Sequence, residues 1–185
     1  MAAYPVSYPT PSAPVIATYQ YTDIEDGSGL VNYYLLHREA TYHLTTSTKK
    51  AAGALTGGAY DSGNIIAAGT TTLNGDVYNT ARTVKGSAIF SAKVVTTGAA
   101  ATTISVKLQK VSGGAATDIS SAVVAGGNTQ SRYVNFEIAL TETYFARGDN
   151  IRMILIIVGG GSHISCDPTE TDYPSTVEVP FKIDN

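Results

Sequence analysis

Few residues of this 185-residue chain have both the type and the spacing for chemistry. His163, Cys166 and Asp167 lie close together in SHISCDP. A cysteine beside a histidine can be a nucleophile and its base, or part of a metal site. Reactive Cys–His pairs, however, are normally assembled from distant parts of a fold, and Cys166 is the only cysteine, so a multi-Cys metal site and an internal disulfide are excluded. The expectation is a loop in which Asp167-Pro168 turns the chain and Cys166 packs as a small apolar side chain. His37 and His43 are an even number of residues apart, so in extended chain they share a face, but no third ligand has matching spacing. Asp23, Glu25 and Asp26 offer oxygens to a hard cation such as calcium. They lack the spacing of a calcium loop and are expected to form a solvated turn before Gly27. Arg147-Gly148-Asp149 spells a tripeptide that integrins read when a loop displays it. Before an apolar strand, the same residues are turn chemistry: Gly supplies positive φ and Asp bonds nearby backbone.

No paired carboxylates, Ser–His–Asp order or phosphate-cradling glycine loop stands out, so the expectation is a protein that is not an enzyme, with no cofactor and no metal. Charged residues make up 15% and the net charge is −3, with no basic run. Nucleic-acid binding, which needs clustered Lys and Arg, is therefore not expected. Met1–Thr10 has neither the basic start nor the apolar segment of a secretory signal. Together with the lone cysteine this points to assembly in a reducing cytoplasm, away from membranes.

The elements that must position these residues read as strands. In Ser131–Leu140 the apolar Val134, Phe136, Ile138 and Leu140 alternate with Asn135 and Glu137, the pattern of a half-buried strand. Ile151–Val158 is apolar almost throughout, far short of the roughly 20 residues of a membrane span, and reads as a strand buried on both faces. Thr103–Val111 places Ile104, Val106 and Leu108 inward and Ser105, Lys107 and Gln109 outward. Gly86–Thr96 puts Ala88, Phe90, Ala92 and Val94 on one face. Further strands are expected at Leu30–Leu36, Thr41–Thr46, Ile65–Ala68, Thr70–Leu73, Thr117–Val124 and Ser175–Ile183. Pro180, on the outward face of the last, implies an edge strand or a bulge. Turns are expected at Ser28-Gly29, Asn74-Gly75, Ser112–Gly114 and Gly126–Asn128. Lys49–Gly63 reads as loop and Gly159–Pro174 as irregular. Short strands with Gly-rich turns and no amphipathic helix give an all-β fold, an antiparallel β-sandwich of jelly-roll type, spanning residues 18–185 as one domain.

Before it, Met1–Ala17 carries Pro5, Pro9, Pro11 and Pro14 with Tyr4 and Tyr8 among them, so it is expected to be extended. It reads either as a solvated terminus or as an arm that orders on a neighbouring subunit. Apolar Val6, Val15 and Ile16 are side chains a solvated tail does not need.

Four blocks carry a resemblance: YTDIEDGSG at Tyr21–Gly29, LQKVSGG at Leu108–Gly114, LTETYFARGDNIR at Leu140–Arg152 and VPFKIDN at Val179–Asn185. They resemble small structural proteins of tailed bacteriophages, often encoded beside the major capsid protein. Lys49–Gly63 and Ser162–Tyr173 depart from that pattern. The resemblance implies a capsid decoration, or cement, protein: a β-sandwich, commonly trimeric, on the exterior of the virion head and bound to the major capsid protein. Tyr4, Pro5, Tyr8, Pro9, Tyr19 and Tyr21 are the residues expected at subunit or capsid contacts. The alternative is a tail- or vertex-associated module that recognises a receptor or host glycan, with Tyr33 and Tyr34 for stacking, although the chain has no Trp.

Overall fold

A computed structural model describes residues 28–38, 41–46, 65–96, 101–128, 132–159, 162–165 and 175–183. The proposed arm, residues 1–17, lies outside them, as does Lys49–Gly63. Twelve strands and no helix occur among the described residues: β1 (Ser28–Arg38), β2 (Thr41–Thr45), β3 (Ile65–Ala67), β4 (Gly69–Gly75), β5 (Arg82–Thr96), β6 (Thr102–Ser112), β7 (Ala115–Asp118), β8 (Val123–Asn128), β9 (Arg132–Phe145), β10 (Asn150–Val158), β11 (Ser162–Ser165) and β12 (Thr176–Ile183). They join in one mostly antiparallel open sheet, β3-β11-β5-β12-β1-β2-β4-β10-β6-β7, with β9 beside β5 and β8 beside β6. The sandwich expected from the sequence is therefore present, but its layers are parts of one sheet. Its hydrogen-bonded path crosses from β1 to β4 through β2, which pairs with β4 in parallel.

Alternation decides what the layers enclose. On β6, Ile104, Val106 and Leu108 are buried, and on β10 so are Ile151, Met153, Leu155 and Ile157. From the other layer come Val84, Ala88, Phe90 and Val94 of β5, Val134 and Ile138 of β9, and Val177 and Val179 of β12. Burying a Val, Leu, Ile or Phe side chain contributes about 1.5–3 kcal/mol, so this seam is the main source of stability. The Gly113-Gly114 pair, with φ of +56° and +87°, makes the two-residue hairpin between β6 and β7; two successive positive φ angles are what such a turn demands.

Several expectations are corrected. Ile151–Val158 is not buried on both faces: Ile154 and Ile156 are half-buried and Val158 is 60% exposed, because among the described residues that face meets no second layer. Asn74-Gly75 is not a hairpin but the end of β4. A Cβ on Gly75 would lie 3.0 Å from Ile151 Cγ2 and 3.2 Å from the Ile151 carbonyl oxygen, so glycine lets the two strands approach. Ser28-Gly29 likewise belongs to β1, opposite Lys182 and Phe181. The strand expected at Thr117–Val124 is broken at Ile119-Ser120, where the chain reaches across to the other layer. Ile119 N–H donates to Leu108 O, Leu108 N–H donates to Ser120 Oγ, and Thr141 N–H donates to Ile119 O, all within 3.0 Å. Gly126–Asn128 lies within β8, and β11 interrupts the stretch expected to be irregular.

Pro180 marks a bulge and not an edge. β12 pairs on one side with β1, where Pro180 faces Leu30, and on the other with β5, whose register slips between Glu178 and Phe181. The β5–β9 register slips at the same level, between Val84 and Gly86, and Gly86 has φ +99°. Both ladders are interrupted there, so the N–H that proline lacks leaves no acceptor stranded.

Candidate functional site

Among the described residues, the side chains singled out in the sequence do not assemble into one site. Tyr4, Pro5, Tyr8, Pro9, Tyr19 and Tyr21 lie outside the described residues, as do Asp23, Glu25, Asp26, Cys166 and Asp167. His163 is on β11, opposite Val95 and Ala67. The β1–β2 register sets His43 opposite Leu36 and His37 opposite Tyr42, so the two histidines are not cross-strand partners. His43 Nε2 lies 2.7 Å from the Thr41 hydroxyl. Among the described residues, no three His, Cys, Asp or Glu side chains come together as metal ligands would. Tyr33, expected as a stacking platform, is 4% exposed and offers no open face.

Arg147-Gly148-Asp149 forms the turn between β9 and β10, and Asp149 is only 5% exposed. Its carboxylate accepts the Ala146 N–H at 2.8 Å and lies 3.0 Å from Lys110 Nζ, which also donates to Tyr144 O at 2.7 Å. Desolvation pushes the Asp149 pKa up, but hydrogen bonds from Ser112, Lys110 and Ala146, with the Lys110 charge, outweigh it and hold it below the ordinary value. An aspartate used in this way is a structural tie and is not displayed to a receptor.

This turn positions the connection between β4 and β5. Tyr78 N–H donates to Asp149 O at 2.8 Å, and Gly148 N–H donates to Tyr78 O at 2.9 Å. The Tyr78 ring meets Phe145 edge-on at 5.3 Å, and its hydroxyl is 3.0 Å from that of Tyr33. Burial, the largest cause, raises the pKa of both phenols. The Arg82 guanidinium stacks 4.1 Å above the Tyr78 ring and lies 5.2 Å from the Phe181 ring. Between β1, β2 and this connection opens a cleft of about 230 Å³, into which Asp76, Asn79 and Arg82 bring polar groups and Leu44 and Val77 apolar ones.

Asp76, Tyr78 and Arg82 did not stand out in the sequence. DVYNTAR has no periodicity and matches no motif, and Tyr78 is 45 residues from the hydroxyl it meets. The one available signal was an aromatic residue flanked by Asp76 and Asn79 in a stretch otherwise fit for a turn.

No protein-family model matches the chain, and no curated protein matches it in sequence. Its fold is similar to that of a CocE/NonD family hydrolase from Staphylococcus aureus, with 10% identity, a TM-score of 0.61, and coverage of 84% of this chain and 37% of that one. It is also similar to an aminopeptidase from a marine sediment archaeon, Thaumarchaeota archaeon, with 10% identity, a TM-score of 0.56 and the same two coverages. The chain spans little more than a third of the length of these structures. At such identity the likeness shows the fold alone.

Proposed function

We propose that this protein is a virion structural protein, a capsid decoration protein that binds the outer surface of a bacteriophage head, stabilises its lattice and performs no catalysis. The reading rests on the resemblance of its short sequence blocks to head-associated phage proteins. The observation that carries it is where two of those blocks lie. Leu108–Gly114 and Leu140–Arg152 are far apart in sequence, yet Lys110 Nζ of the first lies 3.0 Å from Asp149 of the second and donates to its Tyr144 O. These two blocks thus pack against each other and are not two unrelated turns.

In the proposed assembly a trimer binds the major capsid protein, and Tyr4, Pro5, Tyr8, Pro9, Tyr19 and Tyr21 make contacts. Tyr133, Tyr144, Val124 and Val158, each more than half exposed, suit a surface built for contact. Many copies on a symmetric lattice let weak individual contacts add up.

Quantitative mass spectrometry of purified virus particles tests the proposal through the copy number relative to the major capsid protein. A ratio near one, or a simple fraction of it, is expected. A few copies per particle would move the protein to the tail or a vertex, and absence from particles would overturn the virion reading. Removing Met1–Ala17 is expected to weaken particle binding while leaving the sandwich folded.

A further inference from the structure

We propose that the cleft beside Tyr78 binds one neutral, polyhydroxylated ring of monosaccharide size, either free or as the terminal unit of a glycan. Its volume, about 230 Å³, is smaller than the roughly 300–1,000 Å³ of sites for drug-sized ligands, and fits a single sugar ring. Arg82 and Asp76 contribute one charge of each sign, so the lining is formally neutral and favours neither an anion nor a cation. The guanidinium only donates hydrogen bonds, the Asp76 carboxylate only accepts them, and the Asn79 amide does both. Adjacent sugar hydroxyls, each a donor and an acceptor, complement that set. Leu44 and Val77 supply apolar surface for the C–H face of a ring.

Arg82 is oriented before any ligand arrives. Its guanidinium lies over the Tyr78 ring and near the Phe181 ring, and among the described residues its one side-chain hydrogen bond, from Nη2 to Thr80 Oγ1, is long at 3.4 Å. Its Nε is buried without an acceptor. The Tyr33–Tyr78 hydroxyl pair and the two backbone bonds from Tyr78 to the Gly148-Asp149 turn hold this wall in place, so little ordering remains to oppose binding.

The test is ligand-observed NMR on the full chain with glucose, galactose, mannose and N-acetylglucosamine, alongside free alanine as a zwitterion and acetate as an anion. The expected result is saturable, millimolar binding of at least one sugar. Asp76→Ala and Asn79→Ala, both at exposed positions, should each weaken it about tenfold while leaving the circular dichroism unchanged. A glycan array then separates a terminal glycan residue from a free sugar. The proposal is overturned if no sugar saturates, if alanine or acetate binds instead, or if both variants bind as the parent does.

Discussion

Asp149 offers the sharpest test of how this fold is held. Asp149→Ala removes the acceptor of the Ala146 N–H at 2.8 Å and the partner of Lys110 at 3.0 Å. Hydrogen bonds to charged groups contribute about 1.5–3 kcal/mol each. The Lys110 side chain keeps 23% of its exposure, so solvent screening reduces the value of its bond. With the bond from Ser112, two full bonds and one reduced bond give a loss of about 3–6 kcal/mol. For a chain of this length, that lowers Tm by about 6–24 °C. Asp149→Asn keeps one oxygen for Ala146 but loses the charge and turns the other acceptor into a donor, so it should cost somewhat less than Asp149→Ala. The pH dependence has a definite sign. The folded-state pKa is lowered from 3.8, so the stabilisation is present above that value and is lost as pH falls through the folded pKa. Urea unfolding followed by circular dichroism at pH 7 and pH 3 should therefore show a gap between parent and Asp149→Asn that narrows in acid. A loss under about 0.5 kcal/mol at pH 7, the range of an ordinary surface substitution, would refute the reasoning. So would a gap of equal size at both pH values.

Other consequences follow from single contacts. Gly75→Ala places a Cβ 3.0 Å from Ile151 Cγ2 and 3.2 Å from the Ile151 carbonyl oxygen, and the resulting strand shift should cost about 1–3 kcal/mol in urea unfolding. Tyr33 and Tyr78 should resist ionisation in a spectrophotometric titration until the protein unfolds in alkali. Because their folded pKa values are raised, the stability they contribute is complete below the ordinary value of 10.0 and falls as pH rises beyond it. Tyr78→Phe leaves the Tyr33 hydroxyl without its partner and should cost about 1 kcal/mol.

What the sequence made legible follows from how many signals agreed at each place. On β6, apolar and polar residues alternate without exception from Ile104 to Gln109, and burial follows the alternation. β10 is apolar on both faces, and hydropathy cannot reveal that Ile154 and Ile156 are only half-buried, with no second layer over them among the described residues. The break at Ile119-Ser120 was invisible because its cause is tertiary: the serine hydroxyl accepts the amide of Leu108, on a strand already passed. Pro180 gave two options, and only the pairing on both sides of β12 chose between them. The cleft is harder still to see, since Tyr33 and Tyr78 meet only through the strand order.

The Arg-Gly-Asp turn and the cleft form one mechanical unit, and that coupling can be measured. The Asp149 side chain fixes the turn through Ala146 and Lys110, and the turn's backbone holds Tyr78 by two hydrogen bonds. Tyr78 in turn supports Arg82. Loss of the Asp149 carboxylate should therefore loosen the Tyr78 and Gly148 amides before it loosens the core. In native-state hydrogen exchange, Asp149→Ala is expected to lower protection at these two amides by more than at Val106 and Met153, which lie at the centre of the β6–β10 ladder. Equal losses at all four amides would mean that the substitution only reduces global stability. The turn would then be a tie for the whole sandwich, with no particular hold on the cleft.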